Sequence, residues 1–289
     1  MKKQLIYLVL ILFCCSCSKK EKLIIGGFDW QKIAIIDKAS GEIEWTHDLS
    51  PEEICCDVEV TPKKEILYAY KGGAKLITRN HDIIWDYKTQ ENEELYTATR
   101  LESGNFLLGI CGIPARIVEL DKNGEFLKEV TFNTGTSDIS QQFRHILKTP
   151  QDTYLVPLTS KRKISEISED GRYLKSAFCG SRPYAVKLGE NGQWVVSCGE
   201  GKYFLEIDPE TKKEVRKVET SSLNWGTLLV VSELERYKNG NTLIANWNPD
   251  KADRSQPLLL EIDLENKIVW RLSNNPQIVS ISTVYSFFE

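Results

Sequence analysis

The chain has 289 residues, 41% of them hydrophobic and 27% charged, with a formal net charge of −4. That mix describes a globular protein and excludes fibrous or disordered classes. A slightly acidic balance without a basic stripe excludes the electrostatic footprint of a nucleic-acid binder, so no nucleic-acid partner is expected.

The first segment stands apart from the rest. Lys2 and Lys3 precede an apolar run over residues 5–13, too short to cross a bilayer as a helix but suited to a signal-peptide core. Cys14-Cys15-Ser16-Cys17 follows. A small residue before a cysteine at the end of such a run resembles the bacterial lipoprotein box. The resemblance implies a signal peptide over residues 1–16, a lipidated Cys17 and a tether over 17–22. Cys15, preceded by Cys14, is the second choice of lipidation site. One acyl chain holds a protein weakly, at about 0.8 kcal/mol per buried CH₂, so the several chains of a lipoprotein are what anchor it. Ser18 stands where inner-membrane retention is associated with aspartate. The implied location is the cell envelope, at the outer membrane of a Gram-negative bacterium, with membrane contact through the lipid alone.

From Leu23 onward one phrase recurs: an apolar run, an acidic or glycine turn, and a second run. It is clearest at residues 258–270 and returns at 35–45, 75–85, 118–127, 168–174 and 206–211. Short apolar strands such as Leu23-Ile24-Ile25-Gly26, Phe106-Leu107-Leu108-Gly109 and Thr242-Leu243-Ile244-Ala245 recur every ~40–50 residues, the period of four-stranded propeller blades. Ser103-Gly104, Asn191-Gly192 and Asn239-Gly240 supply the positive φ of the hairpins between strands. The globular part begins on a second strand, and residues 278–288 supply an inner strand with nothing after it. Pairing of the two completes a blade and removes exposed edges. The expectation is an all-β, six-bladed β-propeller over residues 23–289, closed by the C-terminal strand beside the N-terminal one. Trp45, Trp85 and Trp270 are expected to pack between blades. Asp37, Asp121, Asp208 and Asp263 are expected to hold hairpins rather than a metal, being one to a blade.

Ile36-Asp37-Lys38-Ala39-Ser40-Gly41-Glu42-Ile43-Glu44-Trp45 resembles the repeat of quinoprotein-type (pyrroloquinoline-quinone-like) propellers, and the Gly-Asn hairpins resemble those of arylsulfotransferase-like propellers. The quinoprotein resemblance implies that Cys55-Cys56 forms a ring disulfide against a cofactor; the plain reading is two cysteines facing opposite sides of a strand. The arylsulfotransferase resemblance implies a histidine nucleophile, for which His145, beside Arg144, is the candidate, with Glu233 near it at the central channel. His47 has no evident partner, and His81 lies at a solvated hairpin. A Cys179–Cys198 bridge is topologically possible within one blade.

No Gly-x-Ser-x-Gly, His-Glu-x-x-His or phosphate loop occurs, and no metal or cofactor is expected; pyrroloquinoline quinone belongs to the enzyme alternative. Function is expected on the loop face, where Arg182, Tyr184, Trp225 and Trp247, with Trp30 and Arg100, form a rim of rings and donors. Such a rim suits a glycan, a peptide or an envelope protein. The first reading is therefore a binding or scaffold module. The alternative is a quinoprotein- or sulfotransferase-like enzyme working at the channel mouth, which requires His145, Arg144, Arg182 and Glu233 to converge.

Overall fold

A computed structural model describes residues 19–272 and 275–289. The signal peptide over 1–16 and Cys17 lie outside the described residues. Six four-stranded antiparallel sheets form the blades of a propeller, each ordered inner, second, third, outer. Blade 1 joins the termini: Thr283–Phe288 is its inner strand, followed outward by Glu21–Gly27, Trp30–Asp37 and Ile43–Asp48. Its closing register pairs Leu23 with Ser286 and Gly26 with Thr283. The inner strands of blades 2 to 6 are Cys55–Val60, Glu94–Arg100, Leu147–Lys148, Val186–Leu188 and Val230–Arg236.

The propeller starts two residues before the expected Leu23. Lys22 is buried, and its ammonium lies 2.7 Å from Asp37 and 2.5 Å from Glu44, so its charge is matched inside the sheet. The closing strand is shorter than the expected 278–288, because Ile278 and Ile281 are buried in the loop that leads into it.

Second and third strands lie between neighbouring blades on both faces, which is why they read as unbroken apolar runs. Ile66–Tyr70 is buried throughout, whereas the outer strand Ile83–Lys88 alternates between exposed and half-buried residues. The core is consequently a set of seams between blades rather than one central mass.

One repeat position latches every seam. Trp45 of blade 1 donates its indole N–H to the Arg79 carbonyl in the next blade's hairpin at 2.8 Å. Trp270 of blade 6 does the same to Lys38 of blade 1 at 3.0 Å. Trp85 of blade 2 stacks on Phe106 of blade 3 at 5.1 Å and covers Gly124, where an added Cβ would lie 2.1 Å from the indole nitrogen. Blades 3, 4 and 5 place cations there instead. Lys128 pairs with Glu169, Lys175 with Glu210 at 2.5 Å, and Arg216 reaches Asn266 Oδ1 and the Asp263 carbonyl, each at 2.6 Å. The hairpins are held as expected: Asp121 accepts from the N–H groups of Asn123 and Glu125, and Asp263 from those of Glu265 and Lys267.

The blades have two unlike ends. The chain enters at the hairpin end, where the Lys20 N–H donates to the Glu289 carbonyl. The strand Glu21–Gly27 then runs ~20 Å to the opposite end, where the longer loops gather.

Candidate functional site

Three inner strands break register at the same level. Cys56, Tyr96 and Ser232 are each the unpaired extra residue of a bulge. Bulges re-aim side chains, and these three all line a cavity of about 130 Å³ at the loop end of the channel. Phe28 and Ser282 of blade 1, Arg144 and His145 of blade 4, Tyr184 of blade 5 and Trp247 of blade 6 complete it. Every blade contributes to this mouth.

Below the mouth lies a buried ionic network. His145 Nδ1 is 2.5 Å from Glu233 and 3.5 Å from Asp57. Lys187 is 3.0 Å from Glu235 and 4.0 Å from Glu233. Burial opposes a charge on His145, but the carboxylates of Glu233 and Asp57 outweigh it and hold the imidazole pKa up at about 10. Burial likewise opposes ionisation of Glu233, yet His145 and Lys187 keep its pKa below the ordinary value. Burial, helped by the nearby Asp57 charge, lifts Glu59 to about 7 despite hydrogen bonds from Thr99 and the Arg100 N–H. Asp57, His145 and Glu233 bring donor atoms within 4.8 Å of one another, a spacing that would suit a cation. His145 Nδ1 lies between these two carboxylates, where a protonated ring offsets one of their two charges.

Of the residues expected at the site, the structure brings Arg144, His145, Glu233, Tyr184 and Trp247 to the mouth or just beneath it. Arg182 stays out, half-exposed and 3.7 Å from Glu200, so the convergence required by the enzyme alternative is incomplete. Arg100 is at the far end of its blade, with its guanidinium over Phe106 and 3.8 Å from Glu65. Its strand runs from the mouth to the hairpin end, and Arg100 is the last residue of it. Trp30 is buried in the seam beside Ile278 and Ile281. Trp225, 46% exposed with Arg271 4.0 Å above its ring, belongs to a separate hollow of about 310 Å³ beside blade 6.

The five described cysteines are free thiols, including the Cys55-Cys56 and Cys179–Cys198 pairs. Cys55 packs in the seam of blades 1 and 2, while Cys56 faces the mouth. Burial pushes both thiols up, so neither is a thiolate at neutral pH. The ring disulfide that the quinoprotein resemblance implied is not formed between Cys55 and Cys56. His47 and His81 are not separate: they stack at 5.2 Å with Nδ1 atoms 3.0 Å apart, beside Trp45. Sequence reasoning missed Phe28, Tyr96, Ser232 and Ser282 at the mouth, and Asp57, Lys187 and Glu235 beneath it; Cys56 was singled out, but only with Cys55 as a ring-disulfide candidate. The alternation of inner strands would have found the charged residues; a bulge leaves no such signal.

The family model described as Mal s 1 allergenic protein-like matches residues 28–266. The chain belongs to the Mal s 1-like family. A crystal structure of a protein of unknown function from Bacteroides caccae is 35% identical over 92% of this chain and 98% of that one, with a TM-score of 0.87. A catalytically inactive histidine-to-alanine variant of virginiamycin B lyase from Staphylococcus aureus, with quinupristin, is 12% identical, covers 95% of this chain and 94% of its own, and has a TM-score of 0.62. A chain of the nidogen/laminin complex is 11% identical over 92% and 98%, with a TM-score of 0.61. The last two share the fold alone, and they attach an enzyme and a protein complex to the same ring. No curated protein matches this Mal s 1-like chain.

Proposed function

We propose that this protein is a binding module that takes a glycan, a peptide or a loop of an envelope protein at its axial mouth. The observation that carries this reading is the convergence of Phe28, Tyr96, Tyr184 and Trp247 with Arg144 on one pocket fed by every blade. Rings supply apolar area while a few polar groups fix orientation. In support, no side chain of the pocket is prepared for covalent chemistry: His145 is held protonated and Cys56 is held as a thiol. The enzyme alternative has Arg144, His145 and Glu233 together in its favour, but an imidazolium locked on two carboxylates is neither a nucleophile nor a base. Lipidation at Cys17 is part of the proposal. A tether entering at the hairpin end would leave the mouth facing away from the membrane.

The test compares binding of the parent and two variants to arrayed glycans and peptides. Trp247→Ala is expected to weaken binding at least about tenfold with folding kept, and Trp225→Ala to leave it unchanged. The opposite pattern would move the site to the blade 6 hollow. Cys17→Ala is expected to shift the protein from the membrane fraction to the soluble one; continued membrane association would remove the anchor from the proposal.

A further inference from the structure

Resting on that reading, the geometry points to a single carboxylate as the group that the mouth receives, carried by an acidic sugar or by the C-terminus of a peptide. Hydrogen-bond capacity is what decides this. The Tyr96 hydroxyl donates to Glu94 and the Tyr184 hydroxyl to Glu200, both at 2.5 Å, while the Cys56 thiol is directed at the Ile54 carbonyl at 3.3 Å. Ser232 donates to the Ala245 carbonyl. The groups left over are donors. Trp247 Nε1–H is buried without a partner. Ser282 Oγ accepts from the Phe28 N–H, which leaves its own proton free.

Arg144 is the strongest of these donors. Its Nη atoms bond the carbonyls of Phe143 at 2.8 Å and Ser140 at 2.6 Å, which uses two of five N–H groups. Its guanidinium lies 4.0 Å from the Tyr96 ring centroid and 5.6 Å from that of Tyr184. Among the described residues it forms no ion pair, and Glu94, on the adjoining inner strand, is bonded to Lys71 and Tyr96. A fixed planar fork with spare donors, flanked by rings, matches a planar carboxylate.

Charge and size narrow the class further. One unpaired cation matches one negative charge. Beneath it the carboxyl groups of Asp57, Glu59, Glu233 and Glu235 outnumber the cations His145 and Lys187, so each negative charge on a ligand meets repulsion and a dianion such as phosphate meets more of it than a carboxylate. At about 130 Å³ the mouth is well below the ~300 Å³ of a drug-sized site. It takes the end of a ligand and leaves the remainder to the loops.

Calorimetric titration of the full chain in detergent, using matched pairs, tests this. The pairs are galacturonate with galactose, a Gly-Phe dipeptide with its C-terminal amide, and benzoate with benzyl alcohol. In at least one pair the acid is expected to bind about ten- to a hundredfold more tightly, the range for a hydrogen-bonded charge. The first two pairs separate a sugar source from a peptide one. Arg144→Met is expected to bring that ratio to within about twofold while the protein still unfolds in one cooperative transition, at a melting temperature lowered by the lost bonds to Phe143 and Ser140. Trp247→Phe keeps a ring but removes the N–H, and is expected to weaken the acid more than its neutral partner. The inference is overturned if acid and neutral partner bind alike in every pair, if the preference survives Arg144→Met, if phosphate outcompetes the acids, or if no acid binds at about 10 mM. Equal binding of acid and neutral partner that Trp247→Ala abolishes would sink the carboxylate and keep the mouth as a binding site. Binding that no mouth variant alters would sink the site itself.

Discussion

The ring is built from two half-rings that solve one problem with different chemistry. Blades 6, 1 and 2 latch onto the next hairpin with Trp270, Trp45 and Trp85. Blades 3, 4 and 5 do so with Lys128, Lys175 and Arg216. The indoles are at least partly buried and bring apolar area to the seam. Lys175 and Glu210 are 36% and 75% exposed, a setting in which an ion pair is worth ~0–1 kcal/mol. The contrast shows that a repeat position can conserve a contact without conserving a residue type.

The axis ties the halves together, and the largest effect is expected there. Glu233 comes from the tryptophan half, while His145 and Lys187 come from the cation half. Glu233→Gln should destabilise the fold by ~3–5 kcal/mol at pH 7, because it leaves buried cations short of a partner. The pH dependence has a definite sign. His145 has a folded pKa of about 10 against an ordinary value of 6.5, so its contribution is complete below 6.5 and is lost as pH rises through 10. Melting curves of the parent should therefore fall between pH 7 and 10, and the variant should fall less over that window. Equal slopes would show that the halves do not depend on this link.

A smaller loss is expected at a tryptophan seam. Trp85→Ala removes the ring stacked on Phe106 and should cost ~2–4 kcal/mol in denaturant unfolding. Gly124→Ala should cost ~2 kcal/mol or more, since the added methyl meets the indole while φ is +88°. If the double variant loses no more than Trp85→Ala alone, the clash with the ring is the cause of the glycine's cost.

These latches also mark how far the sequence could be read. The Asp and Gly hairpins, the recurring apolar strands and the closure by residues 283–288 were legible, because the same contact is made in every blade. Three tryptophans announced three seams; Lys128, Lys175 and Arg216 passed as ordinary charged residues of outer strands. Glu233 on its inner strand and His145 at the entry to one were legible at the channel, and Arg144 as the neighbour of His145. Tyr96 and Ser232 were not, since each is the extra residue of a bulge and falls out of phase; Cys56, a third bulge residue, drew notice only through its neighbour Cys55. Arg100 looked like a rim residue by type, yet its place at the end of an inner strand sends it to the hairpin end.

The cation seams are where the comparison sharpens last and least. Arg216 is 15% exposed and shares Glu206, 6% exposed, with Arg236, so Arg216→Ala leaves that carboxylate one partner and should cost ~1–2 kcal/mol. Lys175→Ala removes a pair that water already screens and should cost under ~0.5 kcal/mol, vanishing in molar salt where the Debye length is ~3 Å. Unfolding measured at low and high salt separates the two cases. Arg216 should keep most of its effect in salt, because its bonds to Asn266 and the Asp263 carbonyl do not depend on a second charge. A Lys175 loss as large as that of Trp85, or a salt-sensitive Arg216, would mean that the half-rings are held by one kind of force after all.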